Sequence, residues 1–204
     1  MHAARNSSKS RIRMSLVLCL ALSAILILSA TAWRASFPLI EESLTMIGFP
    51  LIGIGVIGRI WCGSYIAGFK NQTLMTQGPY SITRNPLYLF SFVGALGVLL
   101  STETLTWPLL FIAWFVSYYP GVMVREEETL WERHGAAYGS YVDRVPLFFP
   151  KLRLYEEPDS YTISAKHFRR CLTDVVWFIV AAGAIVLLED LHATGFLPTL
   201  FHVF

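Results

Sequence analysis

A chain of 204 residues holds one domain of ordinary size and leaves little room for a second. Hydrophobic residues make up 54% of it and charged residues 15%, against about 25% charged in a soluble domain, and the mean hydropathy of +0.52 excludes an ordinary water-soluble fold. The net charge of +2 is too small to point to nucleic acid as a partner. Cys19, Cys62 and Cys171 lie far apart, in or beside apolar runs, and match no zinc or disulfide framework. They read as small apolar side chains. None of the five histidines has metal-ligand spacing, so no metal site is expected.

The pattern predicts an all-α membrane helix bundle with about five transmembrane helices. A helix crosses the hydrocarbon core with roughly 20 mostly apolar residues. Residues 14–33 fit without a charge, and residues 44–65 fit with Arg59 near the far end. Residues 87–100 and 105–123 are two apolar runs split by a polar patch, which reads as a tight helical hairpin. Residues 172–188 form a fifth run, and the apolar tail 191–204, broken by Gly195 and Pro198, reads as interfacial. Residues 1–32 also admit a signal-peptide reading, with a basic start and the small residues Ala30, Thr31 and Ala32.

Orientation follows from Lys and Arg. With five spans, residues 1–13, 66–86 and 124–171 fall on one side. Together with Arg59 they carry all the Lys and Arg except Arg34. This asymmetry predicts a cytoplasmic N-terminus, with the chain in a bacterial inner membrane.

Two segments on that side carry candidate chemistry. The first turns at Gly78 and Pro79 and re-enters the membrane at Asn85 and Pro86. Pro86 suits the first position of a helix and Asn85 its N-cap. With Arg84 beside it, the helix start is a candidate anion site. Tyr80 and Tyr88 offer faces for a purine. In the second segment Glu126, Glu127 and Glu128 stand near the end of a membrane helix, where carboxylates are disfavoured. A cationic partner is therefore expected, from Arg84, Arg125 or a cationic ligand. Gly135 is expected to kink or end this helix.

Taken in order, Gly78, Pro79 and Tyr80, then Arg84, Asn85, Pro86, Leu87 and Tyr88, a helical hairpin, the acids Glu126 and Glu127, Gly135, Tyr138, Tyr141, Val145, Pro146 and Pro150 closely resemble the isoprenylcysteine carboxyl methyltransferase family, to which phospholipid N-methyltransferases are related. The likeness covers roughly residues 50–150. It implies a small membrane methyltransferase with a cytoplasmic pocket for S-adenosyl-L-methionine and a lipophilic substrate entering from the bilayer. It carries over Thr73, Leu74 and Met75 as residues bordering the cofactor, Tyr80 as the family's tyrosine, and Arg84, Asn85, Pro86, Leu87 and Tyr88 as its Arg-His-Pro-x-Tyr motif. Glu126 matches the cofactor-binding glutamate, with Glu127 as second acid, and Tyr65 matches a glutamine at the end of the preceding span. Arg84, Glu126 and Glu127 are the expected catalytic residues. Asn85 replaces the motif histidine and cannot take a proton at neutral pH, and Val122 stands where eukaryotic members carry a substrate-contacting arginine.

On this reading residues 1–204 are one membrane domain, comprising an N-terminal span and loop over 1–43, a methyltransferase-like core over 44–150 and a C-terminal loop, span and tail over 151–204. The expected reaction is carboxyl O-methylation of an isoprenoid or isoprenylcysteine-like acid. The alternatives are methylation of a phospholipid amine, an NADPH-dependent reductase of the sterol-reductase type, and a scaffold without catalysis.

Overall fold

A computed structural model describes residues 29–31, 38–66 and 73–203. Their elements are β1 (Ser29–Thr31), α1 (Pro38–Ile66), α2 (Pro79–Ile82), α3 (Pro86–Leu100), α4 (Thr106–His134), α5 (Ala136–Arg144), a 3₁₀ turn at Leu152–Leu154, α6 (Ala165–Ala193) and β2 (Phe201–Val203). The helices α1, α4 and α6 are long and apolar enough to cross a membrane, and α3 is a shorter apolar helix. The bundle is an integral membrane fold. The expected first span and the signal-peptide reading lie outside the described residues, apart from Ser29–Thr31. That short piece is extended and pairs in parallel with β2, so part of the apolar tail is a strand partner.

The α3 helix has 15 residues, roughly 22 Å at 1.5 Å per residue, short of the roughly 30 Å hydrocarbon core. Its far end closes in a polar turn whose groups are satisfied locally. Ser101 Oγ donates to Gly97 O at 3.0 Å and Thr102 Oγ1 to Leu99 O at 2.7 Å. Thr102 and Thr104 share a bond of 2.9 Å. The apolar part of α4 ends near Met123, and the helix runs on to His134, where Gly135, with φ +51°, stops it as expected.

Two different packings flank α3. Against α1 the backbones nearly touch through glycines, the arrangement by which membrane helices gain close van der Waals contact without a hydrophobic drive. A Cβ on Gly97 would lie 2.6 Å from the carbonyl oxygen of Gly48 and 2.7 Å from the amide of Ile52. Against α4 the contact is made of rings. Phe92 stacks on Phe111 with centroids 5.6 Å apart and leans on Phe115 at 4.6 Å. Tyr88 meets Tyr119 edge-on at 5.4 Å. The sixth helix closes the bundle against α1 and α3. There Arg59 donates to Ser91 Oγ and lies over the Phe178 ring, two contacts for an arginine inside a span.

Overpacking the glycine seam is expected to be costly. Gly97→Val should lower stability by about 1–3 kcal/mol, read as an earlier thermal unfolding midpoint in detergent. Gly53→Ala, where a Cβ meets nothing within 4 Å, should be neutral or mildly stabilising, since Ala outranks Gly in helices.

Candidate functional site

The turn before α3 is built by residues with narrow backbone options. Gly78 has φ +59° and its Cβ position is filled by the ring of Tyr65, so no other residue fits there without strain. Pro79 opens α2 and Pro86 opens α3, each at a position whose missing N–H costs nothing. Asn85 makes no side-chain cap. It stands at the N-cap position, as expected, but its side-chain amide donates to Leu147 O at 3.1 Å. Its side chain turns from the helix because residues 145–156 cross over this turn and offer it a carbonyl.

That crossing strap holds the turn along its length. Arg84 N donates to Pro146 O at 2.8 Å, Lys151 N to Ile82 O at 2.9 Å, and Gly78 N to Glu156 O at 2.7 Å. Thr83 Oγ1 donates to Phe148 O at 3.0 Å, and Glu156 N to Ser81 Oγ at 3.0 Å. From α5, Tyr141 Oη donates to Tyr80 O at 2.7 Å. Each buried polar group of the turn that bonds in this way escapes the cost of burial without a partner.

The end of α4 faces the same turn. Arg84 Nη1 lies 2.7 Å from Glu127 Oε1, with side-chain exposures of 13% and 22%, so the pair is largely shielded from water. Tyr88 Oη donates to Glu126 Oε2 at 2.9 Å. The cationic partner expected for the acid run is thus Arg84, while Arg125 Nε turns back to Gly121 O at 3.0 Å. Burial pushes the Tyr80 hydroxyl well above its ordinary value. Burial and then the Glu127 charge push Tyr138 up to about 12, and burial raises Tyr141. All three phenols are neutral at physiological pH and act only through hydrogen bonds.

These groups wall an open cleft with a cavity volume of about 140 Å³, smaller than the usual range of about 300–1,000 Å³ for small-molecule sites. Thr73, Leu74, Met75, Tyr80, Arg84, Asn85, Pro86, Leu87, Tyr88, Glu126 and Glu127 all line it. Of the expected contact residues, Tyr65 does not. It is buried behind the wall in a cluster with Cys62 and Tyr80 and stacks on Tyr161 at 4.2 Å. Val122 is not among the lining residues either. Ile66, Leu130, Tyr138 and Tyr141 complete the lining. Their signal in the sequence is faint: Gly135 starts a second short helix that folds Tyr138 and Tyr141 back under Leu74 and Leu130. Among the described residues no group of three or more His, Cys, Asp or Glu is placed to hold a metal ion.

Known proteins resemble this chain in sequence. A family model described as phospholipid methyltransferase matches residues 43–137, the stretch that contains Arg84, Glu126 and Glu127. The nickel-cobalt-cadmium resistance protein NccN of Alcaligenes xylosoxydans xylosoxydans is 35% identical over 160 residues, covering 78% of this chain and 75% of that protein. The chain belongs to the phospholipid methyltransferase family. A second relative of similar extent is the cobalt-zinc-cadmium resistance protein CzcN of Cupriavidus metallidurans, 32% identical over 174 residues, 85% of this chain and 79% of that one. No solved structure matches. As a family member the chain is a membrane methyltransferase by type.

Removing the buried bond from α5 should loosen the turn. Tyr141→Phe leaves Tyr80 O without that partner inside the protein, at a cost of about 1–3 kcal/mol. Thermal unfolding in detergent would show the loss, and amide exchange at residues 80–85 would rise with it.

Proposed function

We propose that this membrane methyltransferase uses S-adenosyl-L-methionine and transfers its methyl group to a carboxylate carried on a lipophilic chain, of isoprenoid or isoprenylcysteine-like type. The observation that supports the reading is the convergence of Arg84, Glu127, Glu126 and Tyr88 on one wall of the cleft. The donor set fits the cofactor. Arg84 Nε and Tyr80 Oη are buried without hydrogen-bond partners, which leaves a cationic donor and a hydroxyl for a polar guest. Arg84 holds the amino-acid carboxylate, Glu126 the ammonium, and Leu74, Met75 and Leu87 the adenosine. Arg84 keeps its orientation because Glu127 pairs with it from the far side.

When bound, S-adenosyl-L-methionine supplies an electrophilic methyl group on a sulfonium, so the protein's contribution is proximity and in-line alignment. With a carboxylate as acceptor, the transfer would form an oxygen–carbon bond as the sulfur–carbon bond broke, and the residues of the cleft would have no proton to move. That suits a site in which Asn85 is engaged with Leu147 O and both acids already have partners. A phospholipid amine is the second reading, favoured by the description of the matching family model. It requires a neutral amine, with Glu126 as the nearest base. We place the cleft on the cytoplasmic side because the Lys and Arg of the chain concentrate there.

The relatives are named for resistance to nickel, cobalt, zinc and cadmium. For this chain we take that as the setting of the reaction. Esterifying a carboxylate removes an anionic oxygen ligand for such cations at the membrane surface.

Titration calorimetry in detergent should show S-adenosyl-L-methionine binding that Arg84→Ala and Glu126→Gln each weaken by about tenfold or more, the worth of a hydrogen bond to a charged group. Binding untouched by both changes would refute the pocket. In nanodiscs with methyl-labelled cofactor, label should pass to a farnesylated thioether acid. Label found only in phosphatidylethanolamine would select the amine reading.

A further inference from the structure

We propose that the strap over residues 145–156 is a membrane anchor that takes the phosphate of an anionic phospholipid between Lys151 and Arg153, and so fixes the Arg84 turn to the leaflet surface. The inference needs only the membrane bundle and is independent of the methyl-transfer reading.

Depth comes from Phe148. Its ring meets Phe92 at 6.3 Å and Phe115 at 5.8 Å, and both partners lie inside the apolar helices α3 and α4. The strap therefore dips to the level of the hydrocarbon edge. Phe149, beside it, is 80% exposed, and Leu152 is 74% exposed. Two large apolar side chains this open are costly in water and at home in lipid. Lys151 and Arg153 alternate with them and are exposed as well. From Arg144 to Tyr155 the chain carries Arg144, Lys151 and Arg153 and no acid. The acids begin at Glu156, where the backbone is already bound to Gly78 and Ser81. Apolar tips flanked by basic residues are the pattern of a surface that binds anionic lipid.

The anchor is coupled to the site by backbone bonds. Lys151 N binds Ile82 O, and Pro146 O binds Arg84 N. Leu147 O binds the Asn85 amide. A lipid that holds Lys151 and Arg153 thereby holds the turn that carries Arg84.

Amide exchange of the full chain in nanodiscs tests this without reference to activity. Discs of phosphatidylcholine are compared with discs containing phosphatidylglycerol. Exchange at residues 82–85 and 148–154 should be slower with phosphatidylglycerol, by roughly fivefold for each of the two basic residues. The difference should vanish in Lys151→Gln/Arg153→Gln, and in the unaltered chain it should vanish at about 1 M salt. Phe149→Ser should speed exchange in both lipids. Equal rates in the two lipids, a phosphatidylglycerol effect that survives the double substitution, or a silent Phe149→Ser would overturn the proposal.

Discussion

The ion pair of Arg84 with Glu127 is the contact on which the rest of this end of the molecule depends. Three consecutive carboxylates on α4 stand where the helix has just left its apolar stretch, about two turns before its end at His134, and crowd like charges at the edge of the membrane. A shielded guanidinium offsets Glu127, and the Tyr88 hydroxyl gives Glu126 a donor. Losing Arg84 alone would leave Glu127 poorly solvated and without its cation, the costly way to break such a pair. The pair also ties the start of α3 to the end of α4, where the aromatic seam alone leaves the two helices propped apart.

That propping makes the cleft possible. Glycines bring α1 and α3 into backbone contact, which makes a rigid wall. Rings hold α4 away from α3, and the gap below them opens into the space lined by Leu74, Tyr88, Glu126 and Leu130. Close packing on one side and spacing on the other come from residue size alone. The polar groups then decide what the space can hold.

Most of the bundle was legible because the hydrocarbon core imposes one requirement, a long apolar helix, and composition reports it directly. The spans around Arg59, at α3, at α4 and at α6 follow from that. The end of α4 was legible only through Gly135, since a helix that leaves the membrane keeps its backbone bonds while its hydropathy falls. The lining of the cleft was mostly legible through motif order. Tyr65 shows the limit of that approach: its position in the chain is beside the site, but its ring faces Gly78 and Tyr161. The strap was illegible for a different reason. Its bonds to residues 78–85 run largely through backbone carbonyls and amides, which every residue possesses, so no residue type announces them.

Asn85 joins these strands of argument. A histidine at this position can hold a proton, whereas asparagine can only donate and accept hydrogen bonds. In this chain its side-chain amide is committed to Leu147 O on the strap, and it makes no side-chain bond to the start of α3. The substitution converts a position with possible acid–base chemistry into a clamp between two segments that carry the site. A methyltransferase family can accept that exchange, because transfer from an activated donor asks for alignment more than for proton movement. Alignment here rests on a turn held by the strap from above and by Tyr141 from the side. The loss of a titratable group and the gain of a fixed backbone contact are consistent with one another, and on the reading proposed above both suit an acceptor that arrives already ionised.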